Sequence, residues 1–328
     1  MKDSILSQTV AVIIVNYNGG ELLQRCLTAL TKQTRKPERV LLVDNNSDDF
    51  SVDQINTCFP QIEVLPLNEN TGFAAANNLA VKRLAGMEWV VLLNPDAYAE
   101  PDWLENFLVG AEQHPECAFF GCRMLAVEEN RLDGTGDIYH VSGATWRRDF
   151  GQSSERRQLS DEILSPSGAA ALYRRDIYLE VGGFNEDYFC YLEDVDLGLR
   201  LQSLGYRCFY IAEAVVTHQG SGLVRRYSDF QVYHGHRNLV WVYFINMPSP
   251  WLWIYLPQHL LYNIASIVLF IFRGKWAVIF RSKIDAIKGL SLAWQRRKDV
   301  QGKARKSTTE LRKRMAHGLL APYFNRNE

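Results

Sequence analysis

Apolar, β-branched runs alternate with helical stretches over the first 125 residues. Strands are predicted at residues 10–15, 39–43, 63–67, 88–93 and 117–122. Helices are predicted at about residues 20–32, 72–84 and 101–113. Strands that alternate with helices in this way form a parallel sheet that is covered by helices. This part of the chain is therefore predicted to be α/β, with a mostly parallel sheet.

The pattern changes after residue 125, where a polar, glycine-rich and arginine-rich segment shows no sustained period up to residue 165. Loops and short strands are predicted there. A small strand follows at residues 169–173, and a helix that begins near Glu193 carries leucines at helical spacing until Gly205. A last strand is predicted at residues 208–216, just before His218. Residues 126–245 therefore form the second half of a domain whose first half is residues 1–125.

A long apolar segment follows, since residues 251–272 are WLWIYLPQHLLYNIASIVLFIF and contain no Asp, Glu, Lys or Arg. At about 1.5 Å per residue in a helix, the segment is long enough to span a bilayer. Pro257, Gln258, His259 and Asn263 interrupt it. A membrane-spanning helix and a buried helix of a soluble domain stay open. We favour a segment that lies in the membrane interface and is held there by aromatic side chains.

Charge divides the chain into two regions. The 328 residues are 47% hydrophobic and 22% charged, which is typical of a globular protein and excludes disordered and collagen-like classes. The formal net charge is -1, but residues 273–328 carry 15 Lys and Arg against 4 Asp and Glu. A basic tail beside an apolar segment predicts contact with an anionic membrane surface, and no nucleic-acid partner is expected. We therefore treat residues 246–328 as a helical, membrane-associated tail on a domain of residues 1–245.

Polar side chains follow three of the predicted parallel strands. Ligands of such sheets bind outside the carboxyl ends of the strands, so these positions are informative. Asp and Asn also begin turns, which is the alternative interpretation of each group taken alone. Three groups that face one crevice favour a binding site. The residues are Asn16 and Tyr17 after the first strand, Asp44 and Asn46 after the second, and Asn94 and Asp96 after the fourth.

A nucleotide that binds in this crevice would need either a cation or a nearby base pocket. No GxGxxG motif follows the first strand, which argues against a dinucleotide site. Because an acidic crevice repels a bare diphosphate, we expect Asp44 to accept from a base or ribose and Asp96 to ligate a divalent metal. His218 is either a structural histidine or a second metal ligand. Arg226 and Arg237 are either solvated or in contact with a diphosphate.

A second acidic group, Glu193, Asp194 and Asp196, lies at the predicted start of a helix, where the helix dipole favours negative charge. Asp196 is expected to form only a helix-face pair with Arg200, four residues further on. Asp194 follows an aromatic-rich segment, residues 184–192, that can wall a cavity. A helix cap and a general base therefore both stay open for Asp194.

These segments, in this order, resemble the inverting family 2 glycosyltransferases of the GT-A fold, in particular the rhamnosyltransferase-like branch that builds bacterial surface polysaccharides. The resemblance runs from about residue 10 to residue 240. It rests on VIIVNYNGGELLQRCLTAL, VDNNSDD, LNENTGFAAANN, LLNPDAY, SGAAALYRR, GGFNEDYFCYLEDVDLGLRL and residues 233–238. It implies an α/β fold of the GT-A type, in which helices flank a mostly parallel nucleotide-binding sheet, with a C-terminal membrane-associating helical segment.

The resemblance also implies roles for residues at matching positions. Asp194 would be the catalytic base, with Glu193 beside it, and Asp96 would bind a Mg2+ or Mn2+ ion together with the diphosphate. The nucleotide sugar would be bound by Asn16, Tyr17, Asp44, Asn46, Asn70, Gly72, Phe73, Asn77, Asn94 and Asp96. The general metal motif of the family is Asp-x-Asp, and Asn94 stands at its first position here. The number of metal ligands therefore stays open, with His218 as the candidate second ligand.

The expected activity is transfer of a deoxyhexose, L-rhamnose from dTDP-rhamnose, to a hydroxyl of a lipid-linked saccharide at the cytoplasmic face of the inner membrane. Two alternatives stay open. One is a transferase that uses a UDP-hexose or UDP-N-acetylhexosamine, and the other is a non-catalytic nucleotide-sugar-binding protein of polysaccharide assembly. The presence of both Asp96 and Asp194 favours an enzyme over the non-catalytic alternative.

Overall fold

The computed structural model describes residues 8–52, 55–127, 130–156, 158–220 and 227–324. Its strands are β1 (Val10–Asn16), β2 (Arg39–Asp44), β3 (Ile62–Pro66), β4 (Trp89–Leu93), β5 (Ala97–Ala99), β6 (Cys117–Ala126), β7 (Leu132–Gly134), β8 (Asp137–Tyr139), β9 (Thr145–Arg147), β10 (Asp161–Ile163), β11 (Ala170–Arg174) and β12 (Arg207–His218). Its α-helices are α1 (Gly20–Thr31), α2 (Ile55–Cys58), α3 (Gly72–Arg83), α4 (Trp103–Gln113), α5 (Arg175–Glu180), α6 (Glu193–Leu204), α7 (Asp229–Asn246), α8 (Trp251–Phe272), α9 (Trp276–Lys288), α10 (Leu290–Lys303), α11 (Thr308–Arg314) and α12 (Ala321–Phe324).

One large sheet forms the centre of the molecule, with the strand order β10-β12-β6-β11-β4-β1-β2-β3. β1 is parallel to β2 and β4, β2 is parallel to β3, and β12 is parallel to β6. β11 is inserted antiparallel between β4 and β6. The predicted mostly parallel sheet is therefore confirmed. The direction of β11 was not predictable from local pattern, because it is set by the path that the chain takes between β6 and β11.

Side-chain alternation along β1 builds a hydrophobic core on each face of the sheet. Val10, Val12 and Ile14 belong to the cluster that contains side chains of α1 and α4. Ala11 and Ile13 belong to the cluster that contains side chains of α3, α5 and α6. Because both faces of β1 are covered, its sequence is an unbroken apolar run and not an alternating one.

The segment predicted to hold loops and short strands, residues 126–165, folds into short strands that pair locally. β7 pairs with the end of β6, β8 pairs with β9, and β10 pairs with β12. β12 reaches His218, beyond its predicted end at residue 216, because it pairs with β5 and β6 up to that residue. This extension is what carries His218 to the edge of the sheet where the candidate site lies.

Residues 246–324 of the predicted tail contain the last residue of α7 and the helices α8 to α12, which short non-helical segments join. Arg297 of α10 donates hydrogen bonds to the carbonyl oxygens of Phe244, at 3.0 Å, and Met247, at 2.5 Å. The helices therefore pack on the preceding domain. α8 is long and apolar enough, by length and composition, to cross a membrane, and 28% of its most apolar window is buried.

Candidate active site

A cavity of about 1030 Å³ opens at the carboxyl ends of β1 and β4. The β8–β9 hairpin, the first turn of α6 and parts of α7 and α8 complete its wall. Among the residues predicted from the sequence, its lining contains Tyr17, Asn70, Gly72, Phe73, Asn94, Asp96, Glu193, Asp194 and His218. The cavity therefore joins residues from both halves of the domain.

The edge of the cavity that is predicted to bind a nucleotide contains an asparagine that sequence analysis did not single out. Asn45, directly after β2, donates from Nδ2 to Asn70 Oδ1 at 2.9 Å and accepts from the Thr71 N–H at 2.9 Å. These bonds tie the end of β2 to the start of α3. Gly72 has a φ of +83°, and a Cβ there would lie 2.6 Å from the ring of Phe189. Glycine is therefore required where α3 begins.

Four predicted nucleotide contacts lie outside the cavity lining. Asn16 is buried, and its amide donates to two serine hydroxyls of the turn after β2, at 2.9 and 3.0 Å. Asp44 accepts from the Ser47 hydroxyl at 2.6 Å, and Asn77 donates to a backbone carbonyl of its own helix at 2.9 Å. Asn46 is exposed on the turn. These residues support the edge of the site, and their direct contact with a nucleotide stays a prediction.

The contact of Arg237 with a diphosphate stays a prediction, and the structure gives its guanidinium other partners. The Arg237 guanidinium donates to the carbonyl oxygens of Asp187, at 3.0 Å, and Tyr188, at 2.9 Å, and its Cζ atom lies 4.4 Å from the ring centroid of Trp241. These contacts hold the guanidinium outside the cavity lining. Arg226 lies outside the described residues.

Asp96 and His218 face one another in the cavity. Antiparallel pairing of β12 with β5 sets His218 opposite Ala97, directly after Asp96. His218 Nε2 and Asp96 Oδ1 lie 3.3 Å apart, both residues are 5% exposed, and neither atom makes a hydrogen bond. Burial alone would lower the pKa of His218, but the hydrogen bond to Asp133 and the charges of Asp133 and Asp96 raise it to about 9.

The donor set of this pair fits a divalent cation that also has oxygen ligands from elsewhere. An imidazole nitrogen and a carboxylate oxygen that face one another without a hydrogen bond suit two positions around one ion. Within the described ranges, no three His, Cys, Asp or Glu side chains are grouped to hold a metal. A cation held by Asp96 and His218 would therefore need further oxygen ligands from a bound molecule or from water, as Mg2+ often has.

Asp194 lies in the first turn of α6, and its carboxylate accepts hydrogen bonds in two directions. One oxygen accepts from the Gly168 N–H and the other from the Val195 N–H, each at 2.8 Å. Burial raises the pKa of Asp194, while these bonds and the charge of Arg147 oppose the rise. The bond to Val195 is local to the helix end, and the bond to Gly168 fixes the carboxylate at the cavity wall. The cap and the base interpretations therefore both keep a structural basis.

The two acidic neighbours of Asp194, Glu193 and Asp196, differ in their hydrogen-bond partners. Glu193 lines the cavity, its Oε2 has no hydrogen-bond partner, and burial together with the charge of Asp194 raises its pKa well above the ordinary range. Asp196 is fully buried and accepts from Arg200 Nε at 2.7 Å, the Tyr188 hydroxyl at 3.1 Å and Asn246 Nδ2 at 2.7 Å. The expectation of a simple helix-face pair is therefore wrong. Spacing of four residues fixes a shared face, and it does not say whether that face is exposed.

Three charged residues of the cavity were not predicted, namely Asp133, Asp137 and Arg147. All three come from the segment that shows no sustained period. Asp133 Oδ2 lies 2.8 Å from His218 Nδ1 and also accepts a hydrogen bond from Arg147. Burial, with the charge of Asp194, raises the pKa of Asp137 well above the ordinary range. The available signal was the sequence DGTGD at residues 133–137, where glycines permit a tight path between two carboxylates.

The amino-acid sequence is similar to those of known glycosyltransferases. A family model described as Glycosyl transferase family 2 matches residues 11–182. The chain is 29% identical over 235 residues to the N-acetylglucosaminyl-diphospho-decaprenol L-rhamnosyltransferase of Mycobacterium tuberculosis, a match that covers 65% of this chain and 76% of that protein. It is 26% identical over 231 residues to the O-antigen chain rhamnosyltransferase RfbN of Salmonella typhimurium, which covers 69% of this chain and 72% of that protein.

Two solved structures are similar in fold. GalNAc-T7 with UDP, GalNAc and Mn2+ has a TM-score of 0.60 at 14% identity, covering 77% of this chain and 49% of that chain. S. aureus TarS 1-349 in complex with UDP has a TM-score of 0.51 at 17% identity, covering 74% of this chain and 67% of that chain. These likenesses confirm the predicted GT-A fold. Together with the family model, whose match runs from β1 to the end of α5, they show that the chain is a glycosyltransferase of family 2.

Proposed function

We propose that this glycosyltransferase transfers L-rhamnose from dTDP-rhamnose to a hydroxyl of a lipid-linked saccharide, with inversion at the anomeric carbon. The observation that carries the proposal is the placement of Asp194 in the same cavity as Asp96 and His218. A one-step displacement needs a base for the acceptor and a site that stabilises the charge of the leaving diphosphate. The names of the mycobacterial and Salmonella relatives support the sugar, and the mycobacterial name supports a lipid-linked acceptor.

The cavity residues have different roles in the proposed reaction. Asp194 accepts the proton of the acceptor hydroxyl as the acceptor oxygen attacks the anomeric carbon. The N–H groups of Gly168 and Val195 hold the Asp194 carboxylate in position. Asp96 and His218 would hold a Mg2+ or Mn2+ ion, which supplies positive charge to the departing nucleoside diphosphate. Attack on the face opposite the leaving group inverts the anomeric configuration.

Aromatic and apolar residues of the cavity wall suit the acceptor. They are Tyr227, Phe230 and Leu239, with Tyr262 and Phe270 from α8. Aromatic rings provide flat apolar surfaces, which suit a sugar. Another face of α8 is exposed and apolar. One helix, α8, therefore contributes both to the cavity wall and to the surface that we assign to the membrane.

The membrane surface is the outer face of α8 and α9. α8 buries its polar side chains His259, Asn263 and Ser266, while eight of its large apolar side chains are exposed. An exposed apolar face of this extent is expected where a protein meets lipid. The exposed apolar residues are Trp253, Ile254, Leu260, Leu261, Ile264, Val268, Ile271 and Phe272 of α8, with Trp276, Phe280, Ile284 and Ile287 of α9.

The packing of α8 favours a position in the interface over a membrane span. Its buried side chains extend from Leu252 in the first turn to Phe270 in the last. Lys283 of α9 donates to Asn263 Oδ1 at 2.6 Å and to the His236 carbonyl at 3.0 Å, which ties α8, α9 and α7 together. A helix fixed along its length to a polar domain cannot cross a bilayer without placing that domain in hydrocarbon. We therefore assign α8 to the interface at the cytoplasmic face of the inner membrane, with basic residues of the tail near anionic lipid.

Donor-dependent product formation tests the activity. The full chain, in liposomes, is given N-acetylglucosaminyl-diphospho-decaprenol as acceptor and dTDP-rhamnose, UDP-glucose or UDP-N-acetylglucosamine as donor. We expect nucleoside diphosphate release and a glycosylated lipid with dTDP-rhamnose, with an inverted anomeric configuration by NMR. Turnover with a UDP-sugar in place of dTDP-rhamnose would reassign the donor. Donor binding without turnover would support the non-catalytic alternative.

A further inference from the structure

We propose that Asp133 is the positioning residue that makes His218 a metal ligand, through the hydrogen bond between Asp133 Oδ2 and His218 Nδ1. The inference rests on the proposed function only in taking Asp96 and His218 as ligands of a divalent cation. Asp133 itself need not touch the cation or the substrate. It acts on the ring nitrogen that points away from Asp96.

The contact between Asp133 and His218 is built on the central sheet. Asp133 is in β7, which pairs with β6, and His218 is in β12, which also pairs with β6. Both side chains are buried, and the two atoms lie 2.8 Å apart. Arg147 of β9 donates to the same Asp133 oxygen and supplies the positive charge that a buried carboxylate needs. The bond to the ring is therefore held from three strands.

This bond selects one form of the imidazole. A metal binds only the neutral ring, so the Nε2 proton of His218 must leave when a cation binds. An ionised carboxylate only accepts hydrogen bonds, so the proton that the neutral ring keeps must be on Nδ1. The lone pair is then on Nε2, the atom that faces Asp96 Oδ1 at 3.3 Å and makes no hydrogen bond. Carboxylates that bond the far nitrogen of a metal-ligating histidine fix its tautomer and orientation in this way. Without Asp133, the ring is free to rotate or to place its proton on Nε2.

Mn2+ binding to the full chain in detergent tests the proposal, with free Mn2+ followed by EPR in the absence and presence of dTDP. We expect Asp133→Leu, which removes the acceptor at similar size, to weaken Mn2+ binding by about 10- to 100-fold. Asp133→Asn is expected to keep most of the affinity, because its amide oxygen still accepts from Nδ1. A role of Asp133 as a distant negative charge predicts instead that Asp133→Asn is as weak as Asp133→Leu.

A double-variant comparison separates the route through His218 from a direct effect. In a His218→Ala background, Asp133→Leu is expected to cause no further loss of Mn2+ affinity, because its effect needs the ring. Asp137→Asn is the matched control, since it removes a carboxylate of the same cavity that does not contact His218, and it is expected to leave Mn2+ affinity near wild type. Additive losses in the double variant would overturn the proposal.

Two further outcomes are distinguishable. If the wild-type chain binds no Mn2+ with or without dTDP, the metal assignment in the proposed function fails and this proposal fails with it. If wild type binds Mn2+ and Asp133→Leu binds it equally, only the role of Asp133 fails. Should Asp133→Leu not fold, Asp133→Leu with Arg147→Leu replaces it, because that pair leaves no buried charge without its partner.

Discussion

Asp194 and Asp196 are two residues apart on α6, yet they belong to two clusters of buried side chains that differ in how their carboxyl groups are hydrogen-bonded. Asp196 is in a core cluster with Arg200, Tyr188 and Asn246, where all partners are side chains that donate to it. Asp194 is in a cavity cluster with Asp137 and Glu193, where an oxygen of each of these two neighbours has no hydrogen-bond partner. Buried carboxyl groups without partners cost stability, so they are expected where chemistry requires them.

The largest expected effect comes from Asp194→Asn in the cavity cluster. Asn keeps the size of the side chain and caps helices about as well as Asp, but it cannot take the acceptor proton. We expect turnover to fall by about 100-fold or more, with donor binding intact. The melting temperature should fall modestly, because the Asn amide has one oxygen and can accept from only one of the Gly168 and Val195 N–H groups. Single-turnover formation of glycosylated lipid measures the chemical step, and calorimetry with the donor measures binding.

Asp176→Asn is the matched control for this variant. Asp176 lies in the first turn of α5, and its Oδ1 accepts from the N–H of the next residue, Ile177, at 2.8 Å, as Asp194 does from Val195. It is outside the cavity lining, so turnover should not change. Equal turnover in the two variants would leave Asp194 as a helix cap, and Glu193 would become the next candidate for the base.

In the core cluster, the same chemical change should act on stability and not on turnover. Asp196→Asn leaves the buried Arg200 guanidinium without a counter-charge, although its bonds to the carbonyl oxygens of Val181 and Gly183 remain. We expect the free energy of unfolding to fall by about 3 kcal/mol, as when one partner of a buried ion pair is removed. Denaturant unfolding monitored by circular dichroism measures it. An unchanged midpoint would mean that Asp196 does not stabilise the fold.

The difference between the two clusters also shows what the sequence could predict. The strand-end rule located Tyr17 and Asp96, because apolar runs identify buried strands and parallel strands end at one edge. It did not locate Asp133 or Arg147, since β7 and β9 are only three residues long, and strands this short leave no periodic pattern. Asp196 was misjudged for a related reason. Local spacing contains no information on Asn246, which approaches from α7.

A third prediction concerns the pH dependence of the cavity cluster. Burial raises the pKa of Asp194 and Arg147 lowers it. Because the base must be ionised, turnover should fall as the pH falls through this pKa, at a pH above the value of about 4 for an exposed aspartate. Arg147→Gln removes a positive charge, so the pKa of Asp194 should rise and the acidic limb should move to higher pH. Turnover measured from pH 4.5 to 8 at saturating donor and Mn2+ tests this prediction. If the acidic limb of the Arg147→Gln profile does not move, Arg147 does not influence the pKa of the base.

The smallest effect is expected at the membrane surface, which is a third region and exposes apolar side chains of α8 and α9. Deletion of residues 273–328 would remove Arg297, which is buried against α7, so a single substitution is the better test. Ile284→Ala removes part of the exposed apolar face of α9. About half of one isoleucine side chain contributes roughly 1 kcal/mol on transfer to lipid, or about fivefold in affinity.

Flotation with anionic liposomes measures the lipid concentration for half-maximal binding. Leu159→Ala is the control, because this site is 83% exposed but lies outside α8 and α9. High salt should release part of the protein in every variant, because the contribution of the basic tail is screened. Equal binding of the two variants would remove the outer face of α9 from the membrane contact.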